Sequence, residues 1–276
     1  MKVINISHLV NEEDNTLSLE ISNNQTGEVK VDWHDLPASE NYHLVTGDNT
    51  NLEILELNEK NSHVMYDIGE NSKVKLNIFN SVQGESLTRE FNIQANASLE
   101  VAFADFSVGD KSLKVDANLL SEGASIYWHL ATISEKNDKK NFVINFNHLA
   151  GNTFAKMENY GVAKDTSTLN FLGNAKIFKG SKGSSTNQLA KILVFDKGVH
   201  AKASPMLCID ENDVKAFHGA SEGQINKDHI FYLMSRGVSE TEAKKLITYG
   251  YLYPIIQTFT EEDIKNAIVD CITKRV

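Results

Sequence analysis

Along the middle of the chain, apolar residues occupy every second position in short runs, each following a small or polar residue. Ser72 precedes Val74, Leu76 and Ile78; Ser98 precedes Leu99, Val101 and Phe103; Ser125 precedes Ile126, Trp128 and Leu130. A period of two sends alternate side chains to opposite faces of a strand, so these runs predict strands with one buried face. Their starts recur at a loose step. Ser72 to Ser98 spans 26 residues, Ser98 to Ser125 spans 27, and Ser125 to Thr153 spans 28. Thr153 to Ser167 then spans 14 and Ser185 to His200 spans 15, with a slip to 18 between Ser167 and Ser185. A stacked β-solenoid produces such a repeat, because each coil buries its inner face only against its neighbours. A β-sandwich of similar strand spacing is the alternative on periodicity alone. It needs more sharp turn signals than a chain with 16 glycines and only 3 prolines displays. Residues 11–60 are rich in Asn, Asp and Glu. They read as polar loops between short strands, such as 17–21 and 52–57, so residues 1–60 are expected to be irregular.

After residue 225 the period changes to that of a helix. Asn226 can cap a segment carrying Ile230, Phe231, Leu233 and Met234, and Gly237 can terminate it. Ser239 and Glu242 have capping-box spacing ahead of Ala243, Leu246 and Ile247, and Gly250 is expected to end that helix. Thr260 and Asp263 open a third segment with Ile264, Ala267, Ile268 and Ile272. The expected helices are thus 226–236, 239–249 and 260–273, forming a small subdomain over 225–276 after a β core over 1–224. Isolated helices this short are marginal in water, so they must pack on the core or on a partner.

Composition narrows the function. The 276 residues are 41% apolar, enough for a sizeable core. The net charge is −10, from 27 basic and 37 acidic residues, and no segment gathers the basic ones into a stripe. Nucleic acid is therefore not an expected partner. Neither a signal-peptide pattern nor a run of 18 apolar residues occurs, so no membrane association is expected and a cytoplasmic location is. Cys208 and Cys271 fit a reducing compartment, and two cysteines cannot supply a four-thiolate cluster site. Walker, GxSxG, HExxH, CxxC, GxGxxG and EF-hand patterns are absent, and the KGSKGSS stretch (179–185) reads as a surface loop. His148 and His218 are the histidines of interest, a structural role being the commoner one for a histidine at a strand end. Cys208, ten residues before His218, makes a weak metal candidate with it, since thiolate and imidazole together suit iron or zinc. A buried inert thiol is the simpler reading. Cys271 reads as helix packing, and Trp33 and Trp128 as core or turn aromatics.

The stretch ENDVKAFHGASEGQINKDHIFYLMSRGVSETEAKKLITYGYLYPII (211–256) resembles the C-terminal region of the SufB/SufD family of iron–sulfur cluster assembly proteins. That family shows DDVK, then HGAT-x-G, then LFYL-x-SRGI and a final GF. Upstream, NHLAGNTFAKMENYGVAKDTSTLNFLGNAKI (147–177) is similar to the family's histidine and Tyr-x-Gly-Val segment. The likeness covers roughly residues 60–256 and is strongest after 145. It implies a mainly β protein: a right-handed parallel β-helix with a small C-terminal α-helical subdomain. It also implies a complex of SufB, SufD and the ABC-type ATPase SufC, with the ATPase engaged by the C-terminal helices. The HGA triplet, His218, Gly219 and Ala220, is more like the SufD branch, and the chain is read as a SufD-like member lacking the family's N-terminal helical domain. The resemblance places His218 in cluster assembly and His218, Gly219 and Ala220 at the interface with the paired subunit. It makes Phe231, Tyr232, Arg236, Gly237, Ala243, Leu246, Tyr249 and Gly250 the candidates for docking the ATPase. Two departures stand out. Ala216 occupies a position where many SufD chains have Cys, and Cys208 falls where an acid is common.

The expectation is thus a non-catalytic scaffold subunit that pairs with a SufB-like protein and recruits a SufC-like ATPase. A transient Fe–S cluster or iron is expected at the shared interface, with none bound stably by this chain alone, and a homodimer is a further expectation in isolation. The alternative is a β-helix carbohydrate-active enzyme such as a polysaccharide lyase, which needs clustered carboxylates and a base in a groove. No Asp pair recurs at coil spacing to supply them. A hexapeptide-repeat acyltransferase would need a strict six-residue period, and none is visible.

Overall fold

The computed structural model describes residues 3–4, 10–13, 16–37, 39–60 and 62–276. The expectation of irregular structure over 1–60 therefore lies in part outside the described residues. The strands are β1 (Val3–Ile4), β2 (Val10–Glu13), β3 (Thr16–Ile21), β4 (Thr26–Asp32), β5 (Asn41–Thr46), β6 (Asn51–Leu57), β7 (Ser62–Ile68), β8 (Lys73–Asn80) and β9 (Ser86–Ile93). They continue as β10 (Ser98–Asp105), β11 (Lys111–Leu119), β12 (Ser125–Ser134), β13 (Lys139–His148), β14 (Phe154–Ala163), β15 (Thr168–Ile177), β16 (Ser185–Val194), β17 (His200–Ile209) and β18 (Lys215–Gln224). Three helices follow: α1 (Lys227–Ser235), α2 (Glu240–Ile256) and α3 (Glu262–Arg275).

Successive strands alternate between two nine-stranded sheets. The first runs β1-β4-β6-β8-β10-β12-β14-β16-β18 and the second β17-β15-β13-β11-β9-β7-β5-β3-β2. Apart from the antiparallel β2–β3 pair, neighbours in each sheet are parallel, so the chain winds as a β-solenoid. The expected parallel β-helix is present, and it starts earlier than the alternation predicts. From β3 onward, residues 16–57 form regular parallel coils instead of irregular loops.

Corner geometry explains the loose repeat. Asn24, Asn49, Asn71, Asn96 and Asn152 have φ near +55° to +60°, and Gly123 (φ +76°) and Gly183 (φ +73°) take a similar left-handed conformation at other coils. Asn and Gly tolerate this left-handed conformation best. The interval between these corners is 22 residues from Asn49 to Asn71 and 31 from Asn152 to Gly183. The coils lengthen toward the C-terminus as strands grow from 6 residues in β5 to 10 in β14. At one early corner consecutive coils touch: a Cβ on Gly69 would lie 2.6 Å from the Gly47 backbone.

Inward positions of both sheets fill one continuous core, including Leu76, Phe91, Phe103, Trp128, Phe146 and Phe171. Charges interrupt it. Arg89, Lys111 and Lys140 and the carboxylates of Glu56, Glu59 and Asp105 are all inaccessible to solvent. Arg89 reaches Glu56 at 2.9 Å and Glu59 at 3.0 Å, and Lys140 reaches Asp105 at 2.7 Å. Burial alone would raise the Asp105 carboxyl, but Lys140 and Lys111 overcome it and hold the pKa at about 2.

The helices fold back on the outer face of the first sheet. Leu252, Ile255, Ile256, Phe259, Ile264, Ile268 and Ile272 form a second apolar cluster with Ala102, Ala131, Ile133 and Val162. Asn226 caps α1 by accepting from Asp228 N at 2.8 Å, and Ser239 caps α2 by accepting from Glu242 N at 3.2 Å. The expected stop at Gly250 is corrected: α2 continues through Gly250 and Pro254 to Ile256. A proline inside a helix costs about 3 kcal/mol. Burying Leu252, Ile255 and Ile256, at about 1.5–3 kcal/mol each, exceeds that cost. The N-cap of α3 is Glu261, one residue beyond the expected Thr260, and it makes no side-chain capping bond.

Candidate functional site

The solenoid ends at β17 and β18, and each of these strands is the last in its sheet. Register fixes which side chains face the interior. In the first sheet Ala190 and Ile192 belong to the core and pair with Ala220 and Glu222, so Ala216, His218, Ala220, Glu222 and Gln224 occupy inward positions. In the second sheet Ala201, Ala203 and Leu207 pack against the core, which places Pro205 and Ile209 inward as well. These inward groups are solvated only because no further coil covers them.

His218 therefore sits on an inward position of the last strand, exposed at the open end of the solenoid. Among the described residues its ring makes no hydrogen bond or ion pair. Directly behind it in the stack is Gln188, which is 1% exposed. Gln188 Nε2 donates to Met206 O at 2.9 Å, while its buried Oε1 accepts no hydrogen bond. Ala216 shares the inward parity of His218, so a thiol at that position would have faced the same space. Gly219 has the opposite parity, and a Cβ there would make only an ordinary 3.4 Å contact with Leu189. Phe217 also points outward and is 59% exposed.

Cys208 is not brought to His218. It lies on the outward parity of β17, in the other sheet, in register with Lys176, and its thiol donates to Asn174 Oδ1 at 3.5 Å. It is exposed and not the buried thiol of the simpler reading. Among the described residues, no three His, Cys, Asp or Glu side chains converge as a metal site. His148 is fully buried, with Nδ1 2.8 Å from Thr153 Oγ1, and desolvation lowers its pKa to about 4. It is the last residue of β13. Cys271 is half-buried against the second apolar cluster, and burial raises its thiol pKa.

The ATPase-docking candidates divide by exposure. Phe231 is 73% exposed, Tyr232 56% and Leu246 52%. The Arg236 guanidinium lies 5.3 Å from the centre of the Tyr232 ring, and Gly237 turns the chain at φ +89°. Helix α1 buries no residue fully, so the face bearing Phe231 and Met234 is open. Tyr249 is half-buried and Gly250 exposed within α2. Ala243 is 0% exposed within the packed helices, beneath the surface that Leu246 and Tyr249 present.

Three features escape the sequence reading. The interior charges break the apolar parity in Leu87, Arg89, Phe91 and Ile93, a signal visible once the alternation is taken seriously. Glu222 breaks it in the same way on β18, and its Oε1 accepts from Ala203 N across the open end. Arg275, 8% exposed at its side chain, donates to Glu135 at 2.8 Å and to Phe106 O at 2.9 Å, fastening α3 to the solenoid. No local pattern marks it.

A family model described as SUF system FeS cluster assembly, SufBD core domain, matches residues 34–251. The iron–sulfur cluster assembly protein SufD of Bacillus subtilis is 29% identical over 181 residues, covering 66% of this chain and 41% of that protein. SufB of the same organism is 26% identical over 188 residues, covering 67% of this chain and 38% of the relative. A SufBD family protein of Mycobacterium leprae is 30% identical over 115 residues, 42% of this chain and 13% of its own length. The chain thus spans less than half the length of these curated relatives.

Proposed function

We propose that this chain, which belongs to the SufBD core family of the SUF iron–sulfur cluster assembly system, is a non-catalytic scaffold subunit of a cluster assembly complex. It pairs through the open end of its solenoid with a SufB-like subunit. It recruits a SufC-like ABC-type ATPase through its C-terminal helices. Iron or a nascent Fe–S cluster is the cargo, held transiently at the subunit interface with His218 as one ligand. An imidazole can stand in for thiolate in cluster ligation. With Ala216 beside it, the remaining ligands come from the partner. The SufD likeness of the HGA triplet supports the SufD-like role, and the setting is cytoplasmic.

The observation that carries this reading is the inward, uncovered and unpartnered position of His218 on the last strand. The polysaccharide-lyase alternative is not favoured, because Glu56, Glu59 and Asp105 lie sealed in the interior against cations and cannot meet a polymer.

The test is His218→Ala, with melting temperature and cluster yield measured on one preparation of the reconstituted complex. Unchanged melting with a sharp fall in yield is expected. Full yield from the variant would end the ligand assignment. For the ATPase, Phe231→Ala and Leu246→Asp are better probes than deleting 225–276, since that deletion would strip the apolar outer face of the first sheet. Both are expected to weaken retention of the ATPase in a pull-down without loss of folding, and undiminished retention would overturn the assignment.

A further inference from the structure

A chain of shared partners runs from α3 into the dry interior. The Arg275 guanidinium donates to Phe106 O at 2.9 Å and to Ser107 O at 3.1 Å, and it pairs with Glu135 at 2.8 Å. Ser107 O also accepts from Lys140 Nζ at 2.8 Å. Lys140 and Lys111 share Asp105, at 2.7 Å and 3.9 Å. Lys111 and Arg89 share Glu59, and Arg89 and the Trp33 indole N–H share Glu56. No residue on this path from Lys140 to Trp33 is more than 4% exposed. Its ends follow β12 and β4, four strand spacings apart in the first sheet, or about 19 Å. A buried charge that loses its partner is left with an uncompensated desolvation penalty, so neighbours on such a path adjust together. At the outer end, α3 meets the docking candidates. Leu246 and Tyr249 line one groove with Val269, Ile272 and Thr273, the last of these two residues before Arg275.

We propose that Arg275 is a positioning residue that couples the docking tail to the interior charge cluster, so that a load on α2 and α3 is felt as far as Trp33. Each step is local. A shift of α3 draws the guanidinium from Ser107 O, leaves that carbonyl to Lys140 alone, and changes how Lys140 and Lys111 divide Asp105. Glu59, Arg89 and Glu56 follow, because each cation shares a carboxylate with the next. Glu135 and Asp138 hold the guanidinium from the solenoid side, so the contact can be broken from either end. The chain's two tryptophans supply a reporter and its control. Trp33 is bonded to Glu56 on the path, whereas Trp128 donates to Asn159 Oδ1, which lies outside it. This rests on the reading of the tail as the ATPase-docking surface, and it names the route by which docking reaches the solenoid.

The experiment labels the full chain with 5-fluorotryptophan and follows its two resonances by fluorine NMR, assigned with Trp33→Phe and Trp128→Phe. The variants are Arg275→Lys, Arg275→Gln and Glu135→Gln, the last of which removes the carboxylate without touching α3. Urea midpoints check that each variant is folded. In the free chain, Arg275→Gln is expected to shift the Trp33 signal by more than its line width and well beyond any shift of Trp128. Glu135→Gln should act in the same direction, and Arg275→Lys should stay nearer to wild type. Adding the SufC-like ATPase is expected to shift Trp33 in wild type and not in Arg275→Gln, although a pull-down retains the ATPase equally on both. A Trp33 signal unmoved by Arg275→Gln, or equal shifts of both tryptophans, overturns the coupling. Should that variant fail to fold, Glu135→Gln decides the matter by the same criteria. An ATPase-induced Trp33 shift that survives Arg275→Gln overturns the route through Arg275. Wild type that fails to retain the ATPase overturns the docking reading and the route together, while the spectra of the free chain still decide the coupling.

Discussion

Replacing Arg89 by Met tests the interior charge cluster. Arg89 donates to Glu56 and Glu59 and to the Tyr66 hydroxyl, and none of these side chains touches solvent. Desolvation and the neighbouring carboxylates raise the Tyr66 pKa well above its ordinary value, so the phenol stays neutral. Three carboxylates, Glu56, Glu59 and Asp105, balance Arg89, Lys111 and Lys140. Met matches the volume of the aliphatic stem but leaves one carboxylate uncompensated. Glu56 then keeps Trp33 Nε1 at 3.1 Å and the Tyr66 hydroxyl at 2.7 Å, and Glu59 keeps Lys111 and Asn80. Breaking a buried pair from one side costs about 3–5 kcal/mol. Set against a total stability of about 5–15 kcal/mol, this should lower the melting temperature by about 10 °C. Urea unfolding followed by circular dichroism would read it as a lower midpoint at unchanged slope. Adding Glu56→Gln restores neutrality and is expected to recover at least about 1 kcal/mol relative to the two single losses summed. A loss below about 1 kcal/mol for Arg89→Met, or strict additivity in the double variant, would refute the claim that these charges stabilise one another in a dry interior.

Acid should destabilise the fold from pH 6.5 downward. The folded-state pKa of His148 is depressed to about 4, so its contribution is whole above the unfolded value and lost as pH falls toward 4. The full loss is about 3 kcal/mol, and His148→Gln should flatten the stability curve in that window. Ile268→Ala, at a fully buried position under α3, should cost about 2–5 kcal/mol in urea unfolding, whereas Leu246→Ala, half exposed, should stay within about 0.5 kcal/mol. At the corners, Asn96→Gly should be tolerated and Asn96→Val should lower the melting temperature, since φ there is +55°.

The alternation between residues 72 and 130 predicts strands because those coils bury one face of each sheet, and Ser98 and Ser125 do pair in register. Counting from Ser72 and Thr153 is one residue out, because the structural marker is the left-handed corner residue: Asn71, Asn96, Gly123 and Asn152. The first coils were not legible because their outward positions and corners are polar and their strands short, which resembles loop composition. Their inward residues Leu17, Val29, Val31, Tyr42 and Leu44 nonetheless keep the parity. The run-on of α2 was hidden since Gly250 and Pro254 are local stop signals, and only the sheet beneath Leu252 and Ile255 overrides them. His218 was singled out by resemblance to a family. Its inward parity follows from stacking on Gln188, a long-range fact that no local pattern contains.

Each inner coil of a solenoid is covered by the next, so a terminal coil needs a cap or a partner to hide its inward side chains. Here α2 and α3 do not serve as that cap. They lie along the outer face of the first sheet, held by the second apolar cluster and by Arg275. The terminal coil meets solvent with Ala201, Ala203, Pro205, Leu207, Ile209, Ala216 and Ala220, interspersed with His218, Glu222 and Gln224. Any partner covering this end must satisfy its polar groups, because one that leaves His218 or Glu222 buried and unpaired is penalised. The tail and the end are thus separate surfaces: one presents apolar side chains from α1 and α2, the other presents an imidazole and an acid between two open sheet edges.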